Sequence, residues 1–143
     1  MTLDSKVFTD IQKNEILKQL QLEYDVFPLV TTNEFKIRDQ IEKNPYYQEQ
    51  FRLLYLAEKS RLMELEIVRD AYIGQLYDDL KHKNDVILSK VEIERFYIPK
   101  DSRVIKLRKL ELEIEIRMQF FEAVWEAFKT QGWQLKLWVD INK

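Results

Sequence analysis

The chain has 143 residues, with 23 Lys and Arg against 25 Asp and Glu, a formal net charge of −2, and no cysteine. That length suits one folded core, and the missing thiols exclude disulfides, thiolate metal sites and cysteine nucleophiles. The first residues, MTLDSKVFTDIQKNE, hold no apolar run of signal-peptide length, and acids interrupt every later apolar run, so the sequence reads as a soluble, cytosolic protein without a membrane span.

Only Gly74, Gly132, Pro28, Pro45 and Pro99 interrupt a chain rich in Leu, Ile, Glu, Lys and Gln, which predicts an all-α or nearly all-α fold. In chain order, Thr9 to Leu22 places Ile11, Ile16, Leu17 and Leu20 on a helical face, with Thr9 or Asp10 as cap. Tyr24 to Val30 is expected to be extended, because Pro28 restricts the residue before it. Thr32-Asn33-Glu34 offers a cap for a helix to about Lys43, and Asn44-Pro45 reads as a second cap with proline at the first helical position. From Pro45 one helical pattern runs to about Lys81 on Tyr47, Phe51, Leu54, Tyr55, Leu62, Leu65, Tyr72, Leu76 and Leu80. Gly74 inside it predicts a kink or an end, since glycine costs about 1 kcal/mol against alanine in a helix.

Lys81 to Pro99 reads as a connector, with an extended piece at Val86-Ile87-Leu88 and a short helix after Ser89. The last helix should open at Asp101 or Ser102. Its segment Leu110 to Ile116 alternates like a strand, yet Leu107, Leu110, Ile114, Phe121, Val124 and Phe128 keep helical spacing across it, so helix is preferred. That choice puts Leu112, Ile116 and Phe120 on a second apolar face, and the two faces need two sets of partners, one expected from the Pro45–Leu80 helix and the other from a neighbouring subunit. Gly132 is expected to end the helix in a left-handed turn, after which Trp133, Leu135, Leu137, Trp138 and Val139 fold back as a short apolar element.

Charge is unevenly spread. Lys81 to Lys109 carries nine basic residues against four acids, and Leu110 to Glu126 five acids against one arginine. Phe96 and Tyr97 interleave the basic stretch, and Tyr72 and Tyr77 precede it. Cations for phosphates and flat rings for exposed bases are what single-stranded nucleic acid requires. The alternative for such lysines and arginines is plain surface solvation. His82 lies alone between Lys81 and Lys83 and makes no metal site. No phosphate loop, dinucleotide fingerprint, nucleophile elbow or zinc-protease motif occurs, so the sequence predicts no enzyme and no cofactor. Glu111, Glu113 and Glu115 are expected to form a charged face towards solvent or a neighbouring subunit.

The order Glu92, Arg95, Tyr97, Asp101, then Val104-Ile105-Lys106-Leu107, a long helix and Phe128-Lys129-x-x-Gly132-Trp133-x-Leu135-Lys136 resembles the UvsY recombination mediators of tailed phages, over residues from about Met63 to Asp140. The resemblance implies a subunit built as a long-helix hairpin: an N-terminal helical region (1–43), a long helix with a basic connector (45–100), and a C-terminal oligomerisation helix with its tail (101–143). It further implies a ring-forming homo-oligomer, hexamer or heptamer, in the host cytoplasm. The implied activity is that of a mediator that binds single-stranded DNA and helps a RecA-like phage recombinase displace the phage single-strand-binding protein. Leu65, Arg69, Tyr72 and Gly74 match the family's single-strand-binding helix, while Glu66 and Val68 stand where members often carry basic residues. The expected DNA contacts are therefore Lys59, Arg61, Arg69, Tyr72, Lys81 and Lys83. Leu107, Leu110, Ile114, Phe121, Trp125 and Phe128 carry over as oligomerisation residues, with an intramolecular core as their other reading. A coiled-coil scaffold of phage assembly that binds no DNA is the alternative function.

Overall fold

A computed structural model describes residues 10–82 and 87–142. Its regular elements are all helical among those residues: α1 (Asp10–Glu23), α2 (Phe27–Val30), α3 (Ile37–His82), α4 (Lys90–Glu92) and α5 (Ser102–Ile141). The 46 residues of α3 and the 40 of α5 pack antiparallel as a hairpin, and α1 lies against α5. At 1.5 Å per residue α3 is roughly 70 Å long.

Local chemistry explains the boundaries. Asn33 Oδ1 accepts from the Phe35 backbone N–H at 3.0 Å and opens the tight turn Glu34–Lys36 that leads into α3. The Asp101 carboxylate accepts from the N–H groups of Arg103 and Val104, capping α5. Of Tyr24 to Val30, expected extended, Phe27–Val30 instead closes into the short α2, with Pro28 in the first turn where its missing N–H is harmless.

Four further expectations give way to packing. Pro45 opens no new helix; α3 runs through it. The disruption a proline brings, about 3 kcal/mol, is opposed by Asn44, whose buried Nδ2 donates to the Phe128 carbonyl and to Gln131 Oε1 on α5. Gly74 does not end α3, which continues to His82. Gly132 lies inside α5 without a positive φ, and Trp133 to Val139 continue the helix in place of folding back. Gly132 is a contact residue: a Cβ there would stand 3.0 Å from Asn44 Oδ1 and 3.1 Å from Gln48 Nε2. Ile87 and Leu88 form no strand, and Val86 lies outside the described residues; Leu88 is instead a buried plug.

The core has two apolar parts. At the open end of the hairpin Leu20 of α1 meets Phe51, Phe121, Val124 and Phe128. Tyr24 sits edge-on to Phe51 and Phe121 at 5.9 and 5.3 Å between ring centroids, and Phe128 stacks on Tyr47 and Phe51. At the closed end Leu88, Ile93, Ile98 and Val104 pack with Tyr72, Ile73, Leu76, Tyr77 and Leu80. Between the two parts lie buried charges. Glu58 accepts from Arg61 and pairs with Arg117 across the hairpin at 3.2 Å, and Glu111 pairs with Arg69 and Arg108. Glu111 is thus no part of a solvated acidic face.

The second apolar face of α5 also finds its cover within the chain. Ile116 is buried, and Phe120 packs against Tyr24, the residue that follows α1. Of the six residues assigned to self-association, Ile114, Phe121 and Phe128 are buried in the chain itself. Leu107 and Trp125 are half-buried, the latter against Tyr55, and Leu110 is exposed.

Candidate nucleic-acid interface

The closed end of the hairpin concentrates cations and free rings. Ser89 caps α4, its Oγ accepting from the Glu92 N–H at 3.2 Å and donating to the Glu92 carboxylate at 3.0 Å. The chain then widens into a π-helical turn, Ile93–Tyr97, and tightens into a 3-10 turn, Ile98–Lys100. Ile93 and Ile98 are buried anchors. The residues between them are lifted outward, leaving Phe96 56% and Tyr97 45% exposed. Arg95, Lys100 and Arg103, on either side of them in the chain, are exposed as well. An open recess of about 650 Å³ is lined by Glu92, Phe96, Tyr97, Lys100 and Asp101.

Asp101 braces this end. Besides capping α5 it accepts from the Tyr72 hydroxyl at 3.0 Å, tying the end of the connector to α3. Burial, and then the hydrogen bond to Asp101, hold the Tyr72 phenol above its ordinary pKa of 10.0. The Arg103 guanidinium lies 5.7 Å from the Tyr72 ring centroid, and Lys81 Nζ 5.5 Å from that of Tyr77.

Of the six residues expected to touch DNA, the five that are described do not form one surface. Lys59 and Arg61 are exposed midway along the hairpin, Arg61 donating to Glu58 at 2.7 Å. Arg69 is only 16% exposed, and both Glu111 oxygens hold its Nη1, at 2.6 and 2.8 Å. Its other guanidinium nitrogens reach Asp70. Tyr72 spends its ring under Arg103 and its hydroxyl on Asp101. Arg69 and Tyr72 are thus both engaged within the chain. Lys81 is exposed near the closed end, about 30 Å along α3 from Arg61 at 1.5 Å per residue. Lys83 lies outside the described residues.

Arg95, Lys100 and Arg103 were absent from that set, although the excess of basic residues around Phe96 and Tyr97 marks them in the sequence. A second basic and aromatic face had no such sign. On α5, Lys129 Nζ lies 3.8 Å from the Trp125 ring centroid and Lys136 Nζ 5.4 Å from that of Trp133, beside a recess bounded by Asn44, Gln48 and Gly132. Its residues recur at four-, four- and three-residue steps, a pattern visible only once the helix is known to pass Gly132.

Among the described residues no group of three or more His, Cys, Asp or Glu is placed to hold a metal ion, and no helix is long and apolar enough to cross a membrane. Comparison with known proteins finds no match to a family model, to a curated protein or to a solved structure.

Proposed function

We propose that this chain is a recombination mediator, which holds single-stranded DNA and helps a RecA-like recombinase load onto DNA covered by single-strand-binding protein. The observation that carries this reading is the exposure of Phe96 and Tyr97 between Arg95, Lys100 and Arg103. Guanidinium and ammonium groups meet phosphates, and the rings offer stacking faces that a single strand has bases free to use and a duplex does not. The resemblance of residues 63–140 to the UvsY mediators supports the same activity, with the contact moved from Arg69 and Tyr72 to the closed end of the hairpin. Self-association would multiply a modest patch by avidity, which reconciles a slightly acidic chain with a polyanionic ligand. Mediation then requires only different affinities for the states of DNA and for the partners, with no covalent step. Nucleotide hydrolysis belongs to the recombinase.

Fluorescence anisotropy of a labelled oligo-dT strand, titrated with salt beside a duplex control, tests this. Binding that prefers the single strand, weakens with salt and falls in Phe96→Ala/Tyr97→Ala is expected. An associated protein with no affinity for the strand at low salt sinks the reading and leaves the scaffold.

A further inference from the structure

The face of α3 turned away from α5 carries an apolar stripe that nothing among the described residues covers. Leu53, Leu56, Met63 and Ile67 are 53, 40, 57 and 69% exposed. With Ser60 between them they step by three, four, three and four residues. On a regular helix these five positions fall within a strip roughly 80° wide, directed away from Phe51, Glu58 and Arg69 on the hairpin's inner side. Beyond Ile67 the same steps reach Asp70 and then Gly74, which has no atom within 4 Å of the place a Cβ would take.

Scattered exposed leucines are ordinary on a protein surface, but a run of them in one register is not. A 3-4 repeat along a straight helix is the seam of a helix pair. The length is suitable, because Leu53 to Gly74 spans about 30 Å. No other segment of the described chain lies over it, for α1 packs on α5 and the connector closes one end.

The flanking charges name the occupant. Lys59 borders the seam on one side with Glu66 one heptad further on, and Glu64 borders the other side. When two such stripes meet in parallel, Lys59 of each chain comes opposite Glu64 of the other; when they meet antiparallel, it comes opposite Glu66. A parallel pair would also set Asp70 against its own copy, whereas the antiparallel pair keeps the two apart, so the antiparallel, twofold contact is the one the charges favour. We propose that the outer stripe of α3 is the surface on which this protein pairs with a second copy of itself. The inference deepens the self-associating part of the function read above and relocates it. Association was expected on α5, but Ile114, Phe121 and Phe128 of that helix are enclosed in the chain's own core. A twofold contact closes as a dimer, whereas a ring needs a second, head-to-tail contact beside it.

The test is the mass of the full-length protein by sedimentation velocity and light scattering across a concentration series. Wild-type protein should exceed one chain in mass. Met63→Glu/Ile67→Glu, which places carboxylates in two layers of the seam, should weaken association by roughly a hundredfold with unchanged helical circular dichroism. Lys59→Glu should weaken it less, and adding Glu64→Lys and Glu66→Lys should restore it. A monomeric wild type overturns the proposal and leaves the stripe to a different chain; a double-glutamate variant that is folded and keeps the wild-type mass overturns it as well. Oligo-dT affinity read on the same samples separates the two readings, since a paired protein without single-strand affinity supports this proposal while refuting the mediator.

Discussion

Arg69 and Glu111, 42 positions apart, close the middle of the hairpin with Nη1 of one held between both carboxylate oxygens of the other. Glu111 is almost fully enclosed, and Arg108 adds a longer contact at 3.4 Å. A carboxylate in such a place is tolerable only while its cation is present. Arg69→Met should lower unfolding stability by about 3–5 kcal/mol, whereas Arg69→Met/Glu111→Leu should recover most of that loss. Urea denaturation of the single and double variants measures both, and equal loss in both would show that the pair does not act as a unit.

The two glycines should respond with opposite sign to the same substitution. Gly74→Ala gains helix propensity with no neighbour to displace, so a stabilisation of about 1 kcal/mol is expected. Gly132→Ala gains the same propensity but drives a methyl group against Asn44. That side chain is pinned by the Phe128 carbonyl and Gln131 and cannot move aside. A net loss of stability is expected, read as a lower Tm than wild type beside a higher one for Gly74→Ala.

This contrast also marks where the sequence is legible. Spacing alone locates α1, most of α3 and the opening of α5, because their apolar residues recur at helical intervals and Asp101 is a good cap. Glycine, proline and alternation mislead wherever a partner helix overrides local preference. Pro45 is carried by Asn44, Gly132 by the close approach of α3, and the alternating Leu110 to Ile116 is helical with Glu111, Ile114 and Ile116 buried. Arg69 and Tyr72 match a binding motif by type and spacing, yet no pattern along the chain reveals that Glu111 and Asp101 already occupy them. Phe96 and Tyr97 are visible as residues, but their exposure follows from the paired anchors Ile93 and Ile98.

At the closed end, the two tyrosines should separate binding from support. Tyr97→Ala should weaken oligo-dT binding by about 1–3 kcal/mol, the usual contribution of one stacking ring. Tyr72→Phe should leave DNA affinity unchanged, because that hydroxyl bonds to Asp101 and faces no ligand. Anisotropy titrations at one fixed salt concentration compare them; an equal loss in both would return Tyr72 to the binding surface.

Alkaline pH should expose the Tyr72 contact. Its phenol is raised above 10.0, chiefly by burial and then by Asp101, and Tyr24 is raised by burial and by the charges of Glu23 and Glu58. The folded state therefore holds these protons more tightly than the unfolded chain. The stability they contribute is fully present below pH 10 and is lost as pH rises through the folded-state values. Thermal unfolding followed from pH 8 to 11 should show a decline above pH 10 that is shallower in Tyr72→Phe.

Two long helices joined through aromatic layers could slide past each other by a turn and still bury similar apolar area. The buried polar pairs of this hairpin remove that freedom. Asn44 with Gln131, Glu58 with Arg117 and Arg69 with Glu111 sit at three separate levels along the axis. A slip of one turn would strand an amide and two carboxylates together, so the alternative alignments are penalised at once and not one by one. The same residues that cost stability through desolvation thus act as teeth on a rack, and the position of the closed end relative to the open one is set by them.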